Sequence, residues 1–168
     1  MKRYLGVVLA VVLLPSQAAE LGVHHAESVF DDDKPLALTQ VRWGMPLPWR
    51  WSLVGDWTVS TGLDVVLGRL RGNGDSSTAV GVGPALRMGP PSGRWYVGLS
   101  WRPTYLSRST FGDLDLGGNI QFESALGAGY WLSEHVSVSY ELLHISNGGL
   151  DDRNPGWNGQ RLGLSYGF

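Results

Sequence analysis

From Leu162 to Phe168 the chain alternates without a break. Leu162, Leu164, Tyr166 and Phe168 are large and apolar, while Gly163, Ser165 and Gly167 between them are small. Side chains two apart on a strand share a face, so this stretch has one bulky apolar face and one face with little volume. The same pattern recurs in segments 20–29, 36–47, 57–70, 77–89, 94–106, 119–131 and 135–147, with 160–168 as the eighth. In 57–70, for example, Trp57, Val59, Leu63, Val65 and Leu67 oppose Thr58, Ser60, Gly62 and Asp64. Turn residues divide the segments, as in Arg71-Gly72-Asn73-Gly74-Asp75 and Pro90-Pro91-Ser92-Gly93. Each is near the roughly 9–11 residues that a tilted membrane-crossing strand needs. An even count closes an antiparallel barrel with no free edge. The expected fold is all-β, a single eight-stranded antiparallel barrel over 19–168.

Alternation alone does not say which face is inside. A soluble barrel buries its large apolar residues, whereas a membrane barrel turns them outward and keeps a small or polar interior. Trp95 and Trp101, near the two ends of one apolar stripe, suit aromatic girdles at two membrane interfaces. The terminal Phe168 resembles the closing residue of bacterial outer-membrane barrels. At the other end, Lys2 and Arg3 precede an apolar run from Leu5 to Leu14 and then Pro15-Ser16-Gln17-Ala18-Ala19. This is the order of a secretory signal peptide, 1–18, and the run is shorter than the roughly 20 residues of a spanning helix. Two irregularities are expected inside the strands. One is a bulge near Gln40, where the apolar phase of Leu36 and Leu38 shifts to Val41 and Trp43. The other is a weak ladder at Pro84.

Thirteen Lys and Arg against 15 Asp and Glu leave no basic excess for nucleic acid. The absence of Cys excludes disulfides and thiol chemistry. His24 and His25 point to opposite faces and do not readily share an ion, and Asp31-Asp32-Asp33 reads as a solvated turn. Glu123 and Arg102 read as paired charges of a polar interior. The one His-x-Ser pair, His144 and Ser146, is different. It shares a face with Val136, Val138, Tyr140 and Leu142, so an imidazole and a hydroxyl lie side by side on an apolar wall.

His144-Ile145-Ser146-Asn147-Gly148-Gly149-Leu150, followed by Asn154-Pro155-Gly156, resembles the lipid A 3-O-deacylase (PagL-type) family of outer-membrane barrel hydrolases. A second block, Leu116-Gly117-Gly118-Asn119-Ile120-Gln121-Phe122-Glu123 with Leu126-Gly127-Ala128-Gly129, extends the likeness. It is firm from about 114 to the C-terminus and architectural before that. The resemblance implies Ser146 as nucleophile, His144 as its base, and Asn147, Gly148 and Gly149 as oxyanion donors. It implies lipid A or lipopolysaccharide as substrate among outer-membrane lipids, with no metal or organic cofactor. The family has a glutamate to orient the histidine where this chain has Asn158. An amide oxygen can hold an imidazole but offers no charge to stabilise imidazolium. Asp151 and Asp152 stand as alternative acids, and Glu141 as a weaker one whose parity points inward. A weakly active or structural barrel, another outer-membrane lipid esterase, and a homo-oligomer stay open.

Overall fold

The computed structural model describes residues 19–29 and 34–168; the expected leader and Asp31, Asp32 and Asp33 lie outside the described residues. The strands are β1 (Glu20–Ser28), β2 (Leu36–Ser52), β3 (Thr58–Gly72), β4 (Asp75–Gly89), β5 (Trp95–Leu106), β6 (Thr110–Phe111), β7 (Leu114–Asp115), β8 (Ile120–Trp131), β9 (Val136–Ser146) and β10 (Trp157–Gly167). Eight of them close a barrel in the order β1-β10-β9-β8-β5-β4-β3-β2, and β6 and β7 form a small separate hairpin.

The faces are those of a membrane barrel. On β10, Leu162 and Leu164 are 66% and 57% exposed, whereas Arg161 is 1% exposed. A wall with its large apolar side chains outside and its charges inside is stable only against hydrocarbon. Inside, Arg102 pairs with Asp64 at 2.8 Å and with Glu123, and Arg161 pairs with Glu123 and Glu141. Arg42 meets Glu141 at 3.4 Å, and Gln40 Nε2 donates to Glu123 Oε2 at 2.8 Å. Three guanidiniums thus answer three carboxylates, which is what burial of charge demands.

Above this network the interior turns apolar. Leu36, Leu38, Leu70, Leu106, Ile145 and Trp157 form one buried cluster, capped by Phe111 and Leu116 from the connection between β5 and β8. This layering corrects the expected bulge at Gln40. Leu36, Leu38, Gln40 and Arg42 all point inward, and the β2–β3 register runs unbroken from Leu36↔Gly72 to Pro46↔Gly62. Hydropathy changed along one face because the interior passes from an apolar to a charged layer; the phase did not change. The real irregularity lies between Pro46 and Arg50. Pro84 is accommodated as its chemistry requires. The β4–β5 pairing stops after Gly81↔Thr104 and resumes at Ala85↔Ser100, a gap that also holds Pro103.

The connections 107–119 and 147–156 leave one end of the barrel; Ala19 and Phe168 meet at the other, where Phe168 N donates to Ala19 O at 3.1 Å. Long loops mark the outer end of such barrels. Near that end the exposed residues change from apolar to polar in one step on five strands, while β5 and β8 keep Tyr105 and Ile120 exposed. The step runs from Val41 to Thr39 on β2, Leu67 to Arg69 on β3, Val80 to Thr78 on β4, Leu142 to His144 on β9 and Leu162 to Gln160 on β10. His144 therefore stands at the boundary between hydrocarbon and headgroups.

Candidate active site

β9 carries His144 and Ser146 outward, two residues apart, as strand geometry requires. The neighbouring strands place Asn158 and Ser124 opposite His144, and Phe122 opposite Ser146. β10 begins at Trp157, three residues before the segment expected from the sequence, and this brings Asn158 out of the turn and into the ladder. Its amide then meets the ring directly: His144 Nδ1–H donates to Asn158 Oδ1 at 2.8 Å. With the proton fixed on Nδ1, Nε2 is left as an acceptor facing away from Asn158. The Ser146 hydroxyl makes no hydrogen bond among the described residues, so hydroxyl and imidazole are adjacent but not joined; such contacts commonly tighten only with a ligand bound.

The alternative acids do not reach the ring. Asp151 accepts the Arg153 N–H at 2.9 Å, and among the described residues His144 is hydrogen-bonded only to Asn158. Glu141 points into the barrel, against Arg42 and Arg161, as its parity indicated. Among the described residues, no group of three His, Asp or Glu side chains could hold a metal ion.

Two of the three expected oxyanion donors are engaged in other hydrogen bonds. Asn147 has opposite parity to Ser146 and is fully buried. Its Nδ2 donates to Gly117 O at 2.9 Å and to Arg153 O at 2.5 Å, and its Oδ1 accepts Gly149 N–H at 2.8 Å. Asn147 therefore ties the β9–β10 connection to the segment before β8, and the Gly149 N–H is engaged in that tie. The Gly148 N–H has no partner among the described residues. Gly148 (φ 64°) lies on the Phe122 ring, where a Cβ would fall 2.8 Å from Cδ2. Phe122 in turn stacks on Trp101 with centroids 5.4 Å apart.

The sequence reading missed two residues. Asn154 accepts the Asn147 N–H through Oδ1 at 3.1 Å, a role visible beforehand only as an Asn-Pro turn. Ser124 is a polar interruption in the otherwise apolar outward stripe of Phe122, Leu126 and Tyr130, and only the register shows that it faces His144. Below His144 an outer groove of about 290 Å³, lined by Leu99, Ser124, Leu126, Leu142 and Asn158, descends along the wall toward the middle of the barrel.

Gly156 closes the site on the loop side. Its φ is 62°, and a Cβ there would lie 3.1 Å from His144 Cε1. Gly156→Ala should displace the ring and, where His144 takes part in the chemistry, lower turnover by up to about 10²-fold. A barrel that keeps its heat-modifiable gel mobility while losing kcat would confirm it; unchanged kcat would show that the ring is not confined there.

A family model described as lipid A 3-O-deacylase (PagL) matches residues 38–167. One relative, named lipid A deacylase PagL, from Bordetella bronchiseptica, is 29% identical over 75 residues, covering 45% of this chain and 42% of that protein. The crystal structure of the outer membrane enzyme PagL superposes with a TM-score of 0.76 at 16% identity, covering 89% of this chain and 99% of that one.

Proposed function

Since the chain belongs to the lipid A 3-O-deacylase (PagL) family, we propose that it hydrolyses the ester joining a 3-hydroxyacyl chain to the 3-position of lipid A. The observation that carries this reading is the outward-facing His144, held by Asn158 at 2.8 Å over an apolar groove at the membrane boundary. An ester there has its sugar among the headgroups and its chain in hydrocarbon, and the groove of Leu142, Leu126 and Leu99 takes the chain.

Ser146 Oγ attacks the ester carbonyl as His144 Nε2 removes its proton. Negative charge moves to the carbonyl oxygen, and the Gly148 N–H is the donor available to it. The C–O bond to the sugar then breaks, and the imidazolium returns the proton to the departing sugar oxygen. Water, deprotonated by His144, hydrolyses the acyl-serine and releases a free 3-hydroxy fatty acid. Asn158 keeps the ring in the tautomer that each step needs, without adding a charge.

Mass spectrometry of lipid A from cells producing the wild-type chain should show the loss of one 3-hydroxyacyl group. Unchanged lipid A beside a folded barrel, or loss of phospholipid acyl chains instead, would overturn the reading. Asn158→Ala should lower kcat about 10- to 10²-fold with little change in KM, because only the ring's orientation is lost. Asn158→Glu should raise kcat above wild type by supplying the charge that stabilises imidazolium. A raised KM with kcat unchanged would point to a role in binding instead.

A further inference from the structure

Two arginines on the outer wall take no part in the site at His144. Arg69 and Arg71 stand two residues apart on the exposed face of β3, at its outer end. Their outward cross-strand neighbours are Thr39 and Ala37 on β2 and Thr78 and Ser76 on β4. Arg69 Nη2 donates to Ser76 Oγ, and Arg71 has no hydrogen-bond partner among the described residues. The other arginines inside the barrel or at its outer end meet carboxylates: Arg42, Arg102 and Arg161 inside, Arg108 with Asp75, and Arg153 with Asp115. Arg69 and Arg71 are a pair of cations with hydroxyls around them and no carboxylate partner among the described residues.

A guanidinium on a lipid-facing wall is costly at mid-membrane and tolerated near the interface. Arg69 lies one step above Leu67, at the level where the wall turns polar. Residues two apart on a strand are separated by roughly 7 Å, so both guanidiniums can close on one phosphate, which they bind in bidentate fashion better than lysine does.

We propose that Arg69 and Arg71, with the hydroxyls of Thr39, Ser76 and Thr78, form a docking site for a phosphate of a lipid A molecule lying against β2–β4. β3 is four strands from β9 around the barrel, roughly 19 Å along the wall at the usual strand spacing, so this lipid is a different molecule from the one in the groove. The patch lies at the long-loop end, hence in the same leaflet as the proposed substrate; in that respect the inference rests on the proposed function. A lipid A phosphate is a monoester carrying up to two negative charges and can answer two arginines. The diester of a glycerophospholipid carries one.

Native mass spectrometry of the full chain in detergent tests this, with three probes: bis-phosphorylated lipid A, the same lipid A with its phosphates removed, and phosphatidylglycerol. The wild type should bind the bis-phosphorylated form at least about tenfold more tightly than either other probe, and added salt should erode the difference. An Arg69→Gln/Arg71→Gln chain should lose that preference while keeping its heat-modifiable mobility and its turnover of a short-chain ester. Preference unchanged in the double variant, or phosphatidylglycerol bound as tightly as lipid A, would overturn the site. The binding readout needs no turnover. A chain that deacylates nothing but keeps the arginine-dependent preference would sink the proposed activity and leave the docking site standing.

Discussion

Ser146→Ala should lower lipid A deacylation by about 10³-fold or more, with lipid binding and barrel stability unchanged. Removing a nucleophile of a cooperating dyad costs about as much as removing the whole dyad. His144→Asn should therefore fall to nearly the same rate, and the double variant should be little worse than either. That non-additivity is the informative part, because a merely structural serine and histidine would give small losses that multiply. Both residues face outward on the wall, so neither substitution opens a cavity in the interior, and a folding defect is not expected. The measurement is the rate of 3-hydroxy fatty acid release from purified lipid A in detergent. If Ser146→Ala retains a tenth of the wild-type rate, Ser146 is not the nucleophile; Ser124, which faces His144 from β8, becomes the next residue to test.

Glu123→Ala should be the most destabilising single change in the barrel wall. Glu123 is fully buried and accepts from Arg102, Arg161 and Gln40 at once. Its removal leaves two buried guanidiniums each short of a carboxylate. Breaking such a pair from one side costs about 3–5 kcal/mol, far more than the pair itself contributes over apolar replacements. Glu123→Gln, which keeps the shape and loses the charge, should recover only part of that. The midpoint of denaturant unfolding in detergent, read by loss of heat-modifiable mobility, reports both. A shift under about 1 kcal/mol, the ordinary worth of an exposed pair, would mean that water reaches the network and replaces the missing carboxylate.

Hydrophobic periodicity made the barrel legible because strand faces alternate with a period of two, and a barrel wall has only two faces. It was enough to put Arg102 and Glu123 together inside and to turn His24 and His25 to opposite faces, as the structure has them. It misled at Gln40, where a change of polarity along one inward face imitates a change of phase. The site was legible in part. The parity of His144, Ser146 and Asn147 followed from the spacing, which turns the first two outward and Asn147 toward the interior.

Strand alternation did not say which residues touch the histidine; the family likeness pointed to Asn158 and left Asp151 and Asp152 open. Asn158 meets His144 because β10 starts at Trp157 and pairs in a register that sets the two opposite each other. Asp151 and Asp152, nearer along the chain, are carried away by the turn. Ser124, twenty residues before His144, becomes its neighbour through the pairing of β8 with β9. The amino-acid order by itself determined the eight strands of the wall, the face that most side chains take, and so the presence of a hydroxyl and an imidazole on a lipid-facing wall. Only the tertiary structure decided their partners, because alternation along one strand is set by backbone geometry within a few residues, whereas register between strands is set by how all eight close around one filled interior.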